Sequence, residues 1–118
     1  MDLNKMIKKL KANAESRKVG MIASHLGVVR GSSREGRKVT GIEVQYDREA
    51  INNIIQDIKR LNGIVEVLVE INEGHLDVGD DILAVAVAGD IRENVFPALI
   101  KTVNRIKADA SKKMESYG

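Results

Sequence analysis

The 118-residue chain is 43% hydrophobic and 31% charged, enough apolar material for one core and too much for a disordered polymer. With no cysteine, no Trp, one Phe and two Tyr, disulfides, thiolate metal sites and a cysteine nucleophile are excluded, and the core must be aliphatic. Formal charge is only +2, from 19 basic and 17 acidic residues; no stretch nears the roughly 20 apolar residues of a membrane span and no secretory h-region opens the chain, so the cytoplasm is the expected location.

Leu3, Met6, Ile7, Leu10 and Ala14 repeat at helical spacing behind Asp2, a natural N-cap, and predict an amphipathic helix with a lysine-rich outer face. Val19 to Val29 lacks that period and is rich in small and β-branched residues, as a strand is. Gly31-Ser-Ser-Arg-Glu-Gly-Arg37 reads as a mobile loop. From Lys38 to Tyr46, Thr40, Ile42, Val44 and Tyr46 alternate with Val39, Gly41, Glu43 and Gln45 in a half-buried strand. Asp47 then caps a helix whose Ile51, Ile54, Ile55, Ile58 and Leu61 form one stripe, stopped at Asn62-Gly63.

Two more strands, Ile64 to Ile71 and Ile82 to Ala88, are expected to pair antiparallel across a polar connection. Beyond Asn94, Phe96, Leu99, Val103, Ile106 and Ala110 mark a last helix. A start near Asn94 puts Pro97 in the first turn, whereas a start capped by Asp90 puts it in the interior; the sequence leaves both open. The order α-β-β-α-β-β-α, with no repeat or linker, predicts a single α+β domain over residues 1–118, in two layers, its helices on one face of a mixed or antiparallel sheet.

Charge is unevenly spread. Eight carboxylates and a single arginine, Arg92, occupy Glu66 to Glu93. Arg30, Arg34, Arg37 and Lys38 form one basic cluster, and Lys101, Arg105, Lys107, Lys112 and Lys113 another. This pattern fits a focused anion site better than a general polyanion surface. Arg30 ends a strand at a Gly/Ser loop, where guanidinium forks and free N–H groups suit a phosphate; a solvated hairpin loop is the plainer alternative. Lys107 sits at the edge of the last apolar stripe, where partial desolvation favours a general base or nucleophile and snorkelling is the competing role, while Lys101 and Arg105 point further toward solvent. Arg92 stands at a strand-to-helix junction, as an anion ligand or as the partner of Asp90 or Glu93. His25 is expected to pack in its strand and His75 to lie on the surface. No histidine spacing suggests a metal, and neither metal nor cofactor is expected.

Taken together, these segments resemble the large, catalytic subunit of molybdopterin synthase, the MoaE family. Gly20-Met-Ile-Ala-Ser-His-Leu-Gly-Val-Val-Arg30 is similar to the family's glycine-led strand ending in G-x-V-R, and Tyr46 falls where a family tyrosine follows the second strand. Gly74-His-Leu-Asp-Val-Gly-Asp80 resembles G-x-L-x-x-G-D, Arg92-Glu-Asn-Val-Phe96 resembles R-x-x-x-F, and Lys107 stands at the spacing of the family's helix lysine. The resemblance implies the MoaE-like α/β hammerhead fold and a reaction in which precursor Z, a cyclic pyranopterin monophosphate, receives two sulfurs to become molybdopterin. The sulfur arrives on a small ubiquitin-like, MoaD-like carrier as a C-terminal thiocarboxylate, and a homodimer flanked by two carriers forms a heterotetramer.

The resemblance also implies site roles. Lys107 and Lys113 would be catalytic; Arg30, Arg92, Arg37 and Lys112 would bind substrate, with Lys112 the alternative to Lys113 for the second lysine of a W-K-[KR]-E segment that reads Lys112-Lys113-Met114-Glu115 here. Ile91 replaces a usual histidine, Ile71-Asn72 replaces a usual His-Arg pair, and the family's further C-terminal residues do not follow Gly118. These departures motivate an alternative, a non-catalytic module that docks a carrier without turnover. A nucleic-acid binder is disfavoured by the near absence of stacking aromatics.

Overall fold

The computed structural model describes residues 1–118. Its elements are α1 (Leu3–Lys11), β1 (Met21–Val28), β2 (Val39–Tyr46), α2 (Arg48–Lys59), β3 (Ile64–Ile71), β4 (Gly74–Asp77), β5 (Asp81–Gly89), α3 (Arg92–Asp109) and β6 (Ser111–Tyr117), with one 3₁₀ turn at Ser16–Lys18. The predicted helix caps form: the Asp2 side chain accepts from Lys5 N–H, and the Asp47 side chain from Ala50 N–H. No helix is long and apolar enough to cross a membrane.

The strands make two three-stranded sheets, β1-β5-β3 and β4-β2-β6, rather than one. All four pairings are antiparallel, including the expected one between β3 and β5. β5 runs through the middle of the first sheet and is buried on both faces. Ala84, Ala86 and Ala88 meet Met6 and Leu10 of α1 on one side, while Leu83, Val85 and Val87 meet α2 and α3 on the other. Period-two alternation thus sorts small residues to one face and larger ones to the opposite face. The α+β class and antiparallel pairing stand as expected, but helices cover both faces of this sheet, not one. The alanines admit α1 at close range, and both faces of the strand are apolar enough to bury.

The second sheet has its own core of Val29, Val39, Ile42, Val44 and Leu76, with Tyr46 and Ile82 packed against it. Two of its strands escaped the sequence reading. β4 is four residues inside a polar connection, and β6 is Ser-Lys-Lys-Met-Glu-Ser-Tyr, whose polar run looks like a tail until Val44↔Lys113 and its neighbours pair it with β2. The segment after Arg30 is likewise not a loose loop. Ser32 bridges Lys38, Arg37 O accepts from Ser33 N–H at 2.8 Å, and the Ser33 hydroxyl accepts from Arg37 N–H at 3.0 Å, closing a hairpin around Gly36 with its φ of +84°.

Helix α3 starts at Arg92, so Pro97 lies in its second turn and leaves the Glu93 carbonyl without its helical donor. Its buried face is Val95, Ala98, Thr102, Val103 and Ile106. Relative to the expected stripe the first half is rotated by one residue, which leaves Phe96 51% exposed. Small residues decide this: Ala98 and Gly89 let the helix settle onto the end of β5, with Val95 against Gly89. A Cβ added to Gly89 would sit 2.6 Å from the Gly63 carbonyl oxygen and 2.7 Å from Val95 Cγ2. Gly89→Ala is therefore expected to lower stability by about 1–3 kcal/mol, the usual overpacking range, read as a lower urea midpoint at unchanged slope.

Candidate functional site: a cationic cavity between the two sheets

A cavity of about 640 Å³ opens where the two sheets meet, within the usual size range of small-molecule sites. The first sheet contributes His25 and Gly27 from β1 and Ile82 and Leu83 from β5. The second contributes Ile42, Val44 and Tyr46 from β2 and Ser111, Lys113 and Glu115 from β6. Arg30 and Arg34 come from the hairpin after β1, and Lys107 from the last turns of α3. Four cations face a single carboxylate, Glu115. Against a partly apolar wall, that balance favours an anionic ligand with an apolar body.

The fold brings three of the sequence candidates together: Arg30, Lys107 and Lys113 line this cavity. Strand alternation separates the two adjacent lysines. Ser111, Lys113 and Glu115 share one face of β6, while Lys112 lines a smaller hollow with Gln45, Asp47 and Asp109. Lys107 is exposed at the cavity mouth rather than partly buried. Arg105 is the more covered of the two, its guanidinium 3.0 Å from Asp57 of α2. Ser111 Oγ donates to Lys107 O at 3.1 Å and ties the helix end to β6.

Arg30 turns its Nε back to donate to Ser32 O at 2.8 Å, which orients its side chain from its own hairpin. Arg37 does not line the cavity; its guanidinium stacks 3.9 Å from the centroid of the Tyr117 ring and fastens the hairpin to β6. Arg92 also lies outside the cavity of its own chain. Its side chain is 80% exposed and its Nε is 3.2 Å from Glu93, the local pair that the sequence offers as the simpler role.

Two cavity residues carry perturbed protonation. Burial, followed by the nearby Glu73 carboxylate, pushes the Tyr46 phenol up to about 12, so it remains a neutral donor at physiological pH. Glu73 itself accepts from Tyr46 N–H at 3.0 Å and pairs with Arg48 at 2.6 Å. His25 lies half-buried in β1, as expected, but sequence reasoning missed that it also lines the cavity. Burial, and then the charge of Lys107, lowers its pKa from the ordinary 6.5. Its place two residues before Gly27, on the helix-facing side of β1, was the available signal. His75 lies on the surface as expected, its Nε2 3.1 Å from Asp77 and its Nδ1 3.4 Å from Glu43.

The fold and the cavity together define an α+β protein with a cation-lined pocket at a sheet junction. Residues 1–109 match the family model described as MoaE protein. The chain therefore belongs to the MoaE family, the large subunit of molybdopterin synthase. Among solved structures, it is similar to the molybdopterin cofactor biosynthesis protein E of Burkholderia multivorans, with 27% identity, TM-score 0.79, and coverage of 100% of this chain and 82% of that one. The molybdopterin synthase of Staphylococcus aureus shares the fold at 19% identity and TM-score 0.79, over 97% and 84% of the two chains. So does a chain from a complex of subunits 1 and 2 of the molybdopterin-converting factor of Helicobacter pylori, at 15% identity and TM-score 0.73, over 99% and 80%. No curated protein sequence matches.

Because the folded state holds His25 with a depressed pKa, the unfolded chain binds more protons at that residue, and stability rises with pH between the folded value and 6.5. Acidification from 6.5 toward the folded value should therefore erode stability. In His25→Phe this component should vanish, so the difference in urea midpoint between the two chains should change across that window; a constant difference would remove His25 from the pH response.

Proposed function

We propose that this chain is the sulfur-transferring large subunit of molybdopterin synthase, acting as one domain in the cytoplasm. It takes sulfur from the thiocarboxylate of a small ubiquitin-like carrier and delivers it to precursor Z. The observation that carries this reading is the meeting of Arg30, Arg34, Lys107 and Lys113 around one cavity. Both reactants are anions, a cyclic phosphate and a thiocarboxylate, and two negative charges a few ångströms apart repel strongly unless the wall supplies positive charge. The absence of cysteine is consistent, since the sulfur transferred belongs to the carrier.

In this scheme Arg30 and Arg34 hold the phosphate through guanidinium forks. Lys107, at the mouth, and Lys113, on the facing strand, neutralise the thiocarboxylate as its sulfur bonds to a carbon of precursor Z, and then the oxyanion formed when water cleaves the resulting thioester, leaving the sulfur on the pterin and a carboxylate on the carrier. The neutral Tyr46 phenol donates a hydrogen bond beside them. The carrier's glycyl tail enters past Lys107, and the H. pylori structure, a complex of two subunits, supports such a partner. Lys112 faces another hollow and has no role in the chemistry; Arg37 acts by fastening the hairpin to β6.

Arg92 fits only if the working unit is a dimer. Ile91, Phe96 and Ile100, exposed at 51%, 51% and 60%, put an apolar surface around it on α3, and a second copy covering that face would carry Arg92 toward a neighbour's cavity. Ile91, like Arg92, lies outside the cavity of its own chain and would approach only a neighbour's.

Incubation with precursor Z and thiocarboxylated carrier tests the whole reading. Product is expected from the unaltered chain, a drop of at least about a hundredfold from Lys107→Ala or Lys113→Ala, and little change from Lys112→Ala. Carrier binding without product, indifferent to Lys107→Ala, would establish a docking module instead. For the dimer, mixing Arg92→Ala with Lys107→Ala chains should restore up to about a quarter of the sites, because each mixed dimer then contains one complete site. No recovery on mixing would place both residues in the same chain's site or remove Arg92 from it.

A further inference from the structure

Only one enclosed side-chain polar atom in the fold lacks a hydrogen-bond partner, and it is His25 Nε2. Buried polar atoms are nearly always satisfied, so an orphan beside a cavity invites a partner that the protein does not itself contain. The imidazole leans along β1 over Gly27, where a Cβ would come within 3.3 Å of Nε2; the glycine leaves the ring its room. The titratable and charged groups lining the cavity around it are Arg30 and Arg34 from the hairpin, Tyr46 from β2, Lys107 from α3, and Lys113 and Glu115 from β6, while β5 contributes only apolar side chains. The free cavity thus holds a neutral imidazole among cations. An anion seated there cancels the repulsion from Lys107 and offers an acceptor to a ring N–H.

We propose that His25 is a further ligand-binding residue of this cavity, an imidazole that takes up a proton when an anion enters and donates a hydrogen bond to that anion. The proposal rests on the reading of the cavity as an anion site. Its thermodynamic consequence has a definite sign. The anion-bound state holds the proton more tightly than the free state, so affinity for the anion rises as pH falls from the bound-state pKa to the free-state pKa, and is level below it. At neutral pH the chain would arrive at its ligand unprotonated and leave with an imidazolium in the wall.

Two histidines make the test direct. Imidazole C–H resonances are assigned with His75→Gln, a change at an exposed site on β4, and followed from about pH 5 to 8, the range in which histidine titrates. The titration is repeated with sulfate, whose charge is constant over that range, against chloride at equal ionic strength. Sulfate is expected to raise the His25 midpoint by at least about half a unit, equivalent to about threefold tighter binding to the protonated form, and to leave the His75 midpoint in place. Lys107→Gln should raise the sulfate-free midpoint and shrink the sulfate effect. His25→Gln should flatten the pH dependence of sulfate affinity; if that variant does not fold, the titration of the unaltered chain decides alone. Saturable shifts of the Arg30, Lys107 and Lys113 amides with an unmoved His25 midpoint would overturn the proposal and leave the anion site standing. No saturable binding of sulfate would overturn both.

Discussion

The arrangement depends first on the burial of one strand from both sides. β5 is hydrogen-bonded to β1 and β3 along both edges and covered by α1 on one face and by α2 and α3 on the other. Every backbone polar group along such a central strand is satisfied by its neighbours, so its apolar side chains enter the core without leaving orphaned donors. The strand becomes the reference frame for the rest. α3 can lie on it only along the face that Gly89 and Ala98 leave open, and that placement carries the far end of the helix, with Lys107, to the edge of the first sheet.

At that edge the chain passes repeatedly between sheets. β1 leads to β2, β3 to β4, β4 to β5, and α3 to β6, each step crossing from one sheet to the other or from a helix to the second sheet. Crossings leave a gap because two separately hydrogen-bonded sheets cannot both continue their pairing through it. The gap is the cavity, and the elements that cross supply its charges: the hairpin its arginines, the helix end and the last strand their lysines. Like charges gathered around one cavity repel each other, and a negative ligand would relieve that repulsion.

The same geometry explains why neighbours in sequence part company. Lys112 and Lys113 differ by one position and face different hollows, because a strand sends successive side chains to opposite sides. Arg30 and Arg37 belong to one basic cluster, yet the hairpin turns Arg37 onto Tyr117 and away from the cavity. A charge cluster read along the chain is thus a poor guide to a charge cluster in space. Arg92, between strand and helix, ends on a surface with apolar neighbours and a local carboxylate partner, where only contact with another copy can make it part of a pocket.

Local chemistry alone determined much of this protein. Aspartates at Asp2 and Asp47 capped the helices they precede, the isoleucine stripe from Ile51 to Ile58 chose its buried face, and β1, β2, β3 and β5 lie close to where side-chain pattern puts them. The motifs ending in Arg30 and including Lys107 were also legible, because they depend on residue identity and spacing. What only the tertiary structure decided was everything set by a partner far along the chain. β6 is a strand because β2 offers it an edge, the face of α3 is set by a glycine on β5, α1 chose the second face of the first sheet, and His25 became part of the cavity wall when α3 and β6 closed over it. Hydrogen-bond pairing and close packing between distant segments have no trace in local periodicity, and for that reason they had to be seen in three dimensions.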